Sequence, residues 1–215
     1  MHAISPDTPT SSSRYPWLRH RTRISTEEDH HDPIDFPRLL GWGAAAALLA
    51  LPLVAGAPWT PADYAFAAGM LGIAGGAIEI GARASTSLAY RGGTAIAVVA
   101  AFLVLWVNAA VGFFGSEDND VNAIFGLTVL VAVVGTLLAG LRARGVAWAM
   151  LAAAATQLLV GLTGLAAGWA APGLAGIRQT LGGTAFFCVL WLASAALFAR
   201  AARQSAQSRT ASPSI

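Results

Sequence analysis

Six stretches of about 17–23 predominantly apolar residues divide this chain, at 39–57, 64–82, 93–114, 121–141, 146–168 and 184–200. Coiled at 1.5 Å per residue, each reaches across a hydrocarbon layer of ~30 Å. In lipid, a spanning segment of this kind must satisfy its own backbone N–H and C=O groups, and a helix does so within itself. The sequence therefore predicts an all-α fold: a polytopic transmembrane bundle of six helices over 38–201. Residues 1–37 and 202–215 are polar and read as disordered cytoplasmic tails. Pro52 interrupts the first segment, which makes it the weakest of the six.

Charge follows the same division. Only 11% of the 215 residues are charged, against about a quarter in a soluble domain. All thirteen basic residues are arginine. The absence of lysine beside so much alanine and glycine points to a GC-rich bacterial genome, and so to a bacterial inner membrane. With six spans, every arginine except Arg178 falls on one side, and the excess of basic residues on the cytoplasmic side places both termini there. A net charge of +2 is too small for a nucleic-acid partner. The first apolar stretch lies behind a long polar tail and reads as a retained anchor rather than a cleaved signal. Cys188, alone in an apolar run, reads as a small buried hydrophobe.

Few residues could carry chemistry. The run Trp59-Thr60-Pro61-Ala62-Asp63-Tyr64 reads as a helix start, with Thr60 as cap, Pro61 at the first helical position and Asp63 reaching back. Trp59 and Tyr64 suit a staple across that turn and an interfacial aromatic belt. Asp63 as a solute contact is the competing reading. Glu79 is the one acid inside an apolar segment. It shares a stripe with Gly69, Gly72, Gly76 and Arg83, which should face the bundle because glycines admit a close neighbour. Glu79 is either an i,i+4 partner of Arg83 or a carboxylate for a proton or cation; the spacing favours the pair. Asn108 shares a small-residue face with Thr94, Ala97, Ala101 and Gly112. Gln157 does the same with Ala153, Gly161, Gly164 and Gly168. By depth Asn108, Gln157 and Glu79 could form a polar track, but interhelical hydrogen bonds by Asn108 and Gln157 are the simpler expectation.

The loop carrying Glu117, Asp118 and Asp120 faces the periplasm, with Asn119 or Asp120 as a helix cap. Its acids could attract a divalent cation, although the spacing is not that of an EF-hand. Pairing with Arg178 is the favoured role. In the first tail, Glu27-Glu28-Asp29-His30-His31-Asp32 lacks a scaffold to hold a metal, and Arg14–Arg23 suits anionic lipid head groups. No phosphate loop, HExxH, nucleophile elbow or CxxC pair occurs, so no cofactor and no catalytic residue is expected.

The stretches 59–71 (WTPADYAFAAGML) and 105–120 (LWVNAAVGFFGSEDND) resemble a family of small, uncharacterised bacterial inner-membrane proteins. In that family a Trp-Thr-Pro-x-Asp helix start precedes a Trp-Val-Asn-x-Ala-Val-Gly segment and a Ser-Glu-Asp-Asn loop. The family often carries proline where this chain has Asp120, and both residues suit a first helical turn. The resemblance implies a multi-helix membrane protein over about 38–200 and no substrate. The expected function is a structural or accessory role in a membrane complex, through Gly/Ala faces that meet a second copy or another membrane protein. The alternative is a small proton- or cation-coupled transporter or channel using Glu79. An enzyme is the reading least supported, since the spans hold one carboxylate and no histidine.

Overall fold

A computed structural model describes residues 35–116 and 118–210, except for the side chains of 35–37 and 209. Glu117, the tail through residue 34 (with its acidic His-containing run and its basic aromatic stretch) and residues 211–215 lie outside the described residues. The described chain is all helical. It runs as α1 (Asp35–Val54), α2 (Pro61–Ala84), α3 (Leu88–Ala110), a 3-10 turn (Asp120–Phe125), α4 (Gly126–Leu138), α5 (Ala143–Ala166) and α6 (Gly173–Thr210). The chain divides between Gly43 and Ala44 into two units. The described part of the first is the opening of α1, and the second holds everything from Ala44 onward.

Five helical stretches are long and apolar enough to cross a membrane: Pro61–Ala84, Leu88–Ala110, Asp120–Leu138, Ala143–Ala166 and Gly173–Ser208. The first expected segment is shorter, with its apolar part confined to Arg38–Val54 and Pro52 within its last turn. A proline there removes a backbone donor and crowds the preceding turn, and the helix stops two residues later.

The largest departure from the sequence expectation is α6: the apolar run at 184–200 is only the middle of a helix of 38 residues from Gly173 to Thr210, about 57 Å at the usual rise. Residues 202–210 are therefore helical rather than a disordered tail. Alanine, arginine and glutamine are good helix formers. Tyr90 and Phe198 meet edge to face at 4.9 Å just before the extension, and within it Ser87 Oγ donates to Gln204 Oε1 at 3.1 Å.

Within the second unit, α5 packs on α4 and α6, α6 packs on α3, and α2 packs chiefly on α3. Small residues set these approaches. A Cβ at Gly135 would stand 2.7 Å from Ala149 Cβ, and one at Gly93 would stand 3.1 Å from the Phe198 ring. With no water to displace between helices in lipid, such close van der Waals packing supplies much of the cohesion. The α4–α5 corner is tight, with Gly140 and Leu141 both at positive φ (55° and 60°). A leucine in this region is uncommon; here the Tyr90 hydroxyl holds the corner by donating to Leu141 O at 2.8 Å.

Candidate functional site

The helix start at residue 60 forms as its residues dictate. Asp63 Oδ2 accepts from Thr60 N at 2.7 Å and from Thr60 Oγ1 at 2.8 Å, while Thr60 Oγ1 accepts from Asp63 N at 3.3 Å. The reciprocal box satisfies donors that a helix N-terminus otherwise leaves open. Trp59 packs edge-on to Tyr64 at 5.2 Å, completing the staple. Its other neighbour is Trp106 at 6.0 Å, so the Trp-Thr-Pro and Trp-Val-Asn stretches meet at one end of the bundle. Asp63 thus has a full structural role in capping.

Glu79 and Arg83 form the i,i+4 pair, with Nη2 and Oε1 2.5 Å apart. The arginine is 71% exposed and the glutamate 22%. The stripe that carries them does not face the bundle, contrary to the sequence reading. A Cβ at Gly69, Gly72 or Gly76 would meet nothing within 4 Å. The other side of α2 packs instead, where Gly81 lies against Thr94 of α3. Glycine spacing marks a face that a helix can approach, and α3 approached a different one.

Neither amide makes the interhelical bond expected of it. Asn108, half-buried, donates from Nδ2 to Val104 O of its own helix at 2.6 Å, and its Oδ1 is buried without a protein partner. Gln157 is completely buried, and neither of its amide atoms has a partner. The helices bearing Glu79 and Gln157 are not packed together. Glu79, Asn108 and Gln157 therefore do not line up as a track.

Gln157 has company that sequence reasoning missed. Gly135 packs on Ala149, so Thr128, two turns back along α4, lies level with Gln157, two turns on along antiparallel α5. Cys188 Sγ donates to Ala154 O at 3.5 Å and Gly161 meets Thr184, so the 184–188 stretch of α6 flanks the same level, with Trp191 about a turn beyond it. Thr128 Oγ1, Thr184 Oγ1 and Trp191 Nε1 are all buried and, like the Gln157 amide, without partners. These are uncharged groups, able to hydrogen-bond but not to bind a cation strongly or exchange a proton at neutral pH. A buried, unsatisfied polar group costs about 1–3 kcal/mol. Gln157→Met keeps the length and removes the amide, so it should raise the thermal midpoint of the detergent-solubilised protein by a few degrees. A fall would mean that the amide is satisfied by something it binds.

The acidic loop is organised by asparagines rather than acids. Asn119 caps the 3-10 turn by accepting from Val121 N at 3.2 Å, as expected. The central residue is Asn122, buried at the turn. Its Oδ1 accepts from Phe113 N and Phe114 N at 3.0 and 2.8 Å, and its Nδ2 donates to Ser116 O at 2.7 Å. From α6, Thr180 Oγ1 donates to Phe113 O and Gln179 Nε2 to Gly112 O, both at 3.1 Å. Asp118 and Asp120 remain exposed. Arg178 lies within α6, and among the described residues no ion pair joins it to either. No group of three metal-ligating side chains occurs among the described residues.

An apolar recess of about 300 Å³ opens between α2, α3 and α4, lined by residues such as Met70, Ile73, Ala101 and Val133. Two of its hydroxyls, those of Tyr90 and Thr94, are engaged by backbone carbonyls. No family model, curated protein or solved structure matches this chain.

Proposed function

We propose that this chain is an accessory or structural protein of a bacterial inner membrane, related to the small inner-membrane proteins its two motifs resemble. In this reading α1 also crosses the bilayer, and both termini lie on the arginine-rich cytoplasmic side. The protein joins a second copy or another membrane protein through a helix face.

One observation carries the reading. Gly81 of α2 and the glycines at 93, 135, 161 and 183 of α3, α4, α5 and α6 are filled by neighbouring side chains; Gly126 and Gly182 stand open singly, whereas Gly69, Gly72 and Gly76 stand open together along one face of α2. Gly72 and Gly76 have the four-residue spacing at which two membrane helices approach backbone to backbone. The polar groups give transport less support: the one intramembrane acid is neutralised by its neighbour, and the buried amides are uncharged and unconnected to it.

The test is Gly72→Leu with Gly76→Leu. Both side chains project into open space, so thermal stability should stay unchanged. Association in mild detergent, read by cross-linking in membranes and by size exclusion, should fall at least tenfold. A parent protein that is monomeric and without partners, or a variant that associates as the parent does, removes the basis for this reading. A loss of cation-coupled uptake in Glu79→Gln vesicles would favour the transporter instead.

A further inference from the structure

The overrun of α6 creates a feature at the arginine-rich end that neither tail nor helix would have alone. Its apolar part gives way at Arg200, and the helix continues to Thr210. Ala202, Ser205 and Ala206 face Arg142, Ala143 and Arg144 across an open recess of about 780 Å³. Small side chains on the α6 wall leave that space free. The Ser205 hydroxyl is turned back onto Ala201 O, so the arginines are the polar groups that dominate the recess.

Other arginines at this end already have partners. Arg83 pairs with Glu79, and Arg91 donates from Nε to Ser85 O and from Nη2 to Ala82 O. Arg142 and Arg144 are exposed and make no ion pair among the described residues. Arg200 and Arg203, also exposed, add to the positive field from α6. In the membrane placement proposed above, the recess lies past the apolar core of α6 and before that of α5, at the depth of lipid head groups. The first turn of α5 also lacks a side-chain cap, so its N–H groups add to the attraction for an anion.

We propose that the recess between the start of α5 and the projecting end of α6 binds the phosphate head group of an anionic phospholipid, held by Arg142 and Arg144. Guanidinium groups match phosphate oxygens in a bidentate fork, and basic pockets between helices at this depth suit anionic head groups. The lipid is the committed source of the phosphate because the flanking helix surfaces are apolar and meet acyl chains. The inference rests on the membrane placement given above, but not on the accessory role.

The experiment reconstitutes the full chain into nanodiscs of phosphatidylcholine with a minor fraction of phosphatidylglycerol, and reads retained lipid by native mass spectrometry. The parent should retain phosphatidylglycerol preferentially. Arg142→Gln with Arg144→Gln should weaken that retention about 30-fold, from roughly 1 kcal/mol per arginine. Arg178→Gln, at the other end, should leave it unchanged. Equal retention by the double variant, or an equal loss in Arg178→Gln, overturns the site. Displacement of the lipid by inorganic phosphate at physiological ionic strength would make it a site for free anions and overturn the lipid assignment. Failure of the parent to enter nanodiscs would overturn both this inference and the membrane reading.

Discussion

Asn122→Ala should lower the stability of the solubilised protein by about 3–5 kcal/mol, and so consume much of the 5–15 kcal/mol that folded domains typically hold. The side chain does three things at once. It accepts from Phe113 N and Phe114 N and donates to Ser116 O, and all three groups belong to one reversal of the chain. Alanine leaves two donors and one acceptor without partners beside the buried Phe113, Phe114 and Phe125 rings. No shift of the loop is available to restore them. Gly112 holds φ at +73°, with Ser116 O and Asn122 Nδ2 crowded against its Cα side. Thr180 and Gln179 fix the same backbone from α6. Asn122→Asp keeps the acceptor for both amides but turns a carboxylate oxygen toward Ser116 O, so its loss should be smaller than that of alanine and still clear. Thermal unfolding in detergent, with protease cleavage at 112–120 as a second readout, measures both. A midpoint within a degree of the parent in Asn122→Ala would mean that the turn is held by its packing alone.

That turn also marks the boundary of what could be read in advance. Asn119 was legible as a cap, since its position before a helix start is a local property. Asn122 was not, because its three partners lie six to nine residues back along a folded turn. Helix existence was legible from apolar length, yet apolarity marks where lipid lies rather than where a helix ends. Hence α6 could be placed at 184–200 while its polar, helix-forming extension to Thr210 went unread. The glycine stripes show the same limit. Those of α2 and α5 look alike in sequence, but one stands open and the other is filled by Phe114 and Thr184. Which face a helix offers depends on its neighbour, and pairwise adjacency is not encoded in any single segment. Gln157 was legible as one member of a small-residue face of α5, while the level it shares with Thr128 and Thr184 follows only from the register of three helices.

Gly164→Ala should be strongly damaging for a single added methyl. A Cβ there would overlap Phe114 Cζ and Cε1 and stand 3.0 Å from Cε2. Whether that matters depends on where the ring can go. Phe114 is fully buried, with Phe125 at 5.0 Å and Trp169 at 5.8 Å between ring centres, and Asn122 fixes its backbone N–H. The ring cannot retreat, so α5 must move from the loop or the helix pair must open; overpacking of this kind costs about 1–3 kcal/mol or more. Gly72→Ala, on the open face of α2, should cost a few tenths or gain slightly from helix propensity. Phe114→Leu has its own cost but makes room, so the double variant Phe114→Leu with Gly164→Ala should be more stable than the sum of the single losses. A coupling of 0.5–3 kcal/mol is usual for residues in contact. Thermal unfolding of the three variants closes the cycle. Strict additivity would show that Phe114 and Gly164 do not meet in the folded protein, and that the loop is not seated on α5.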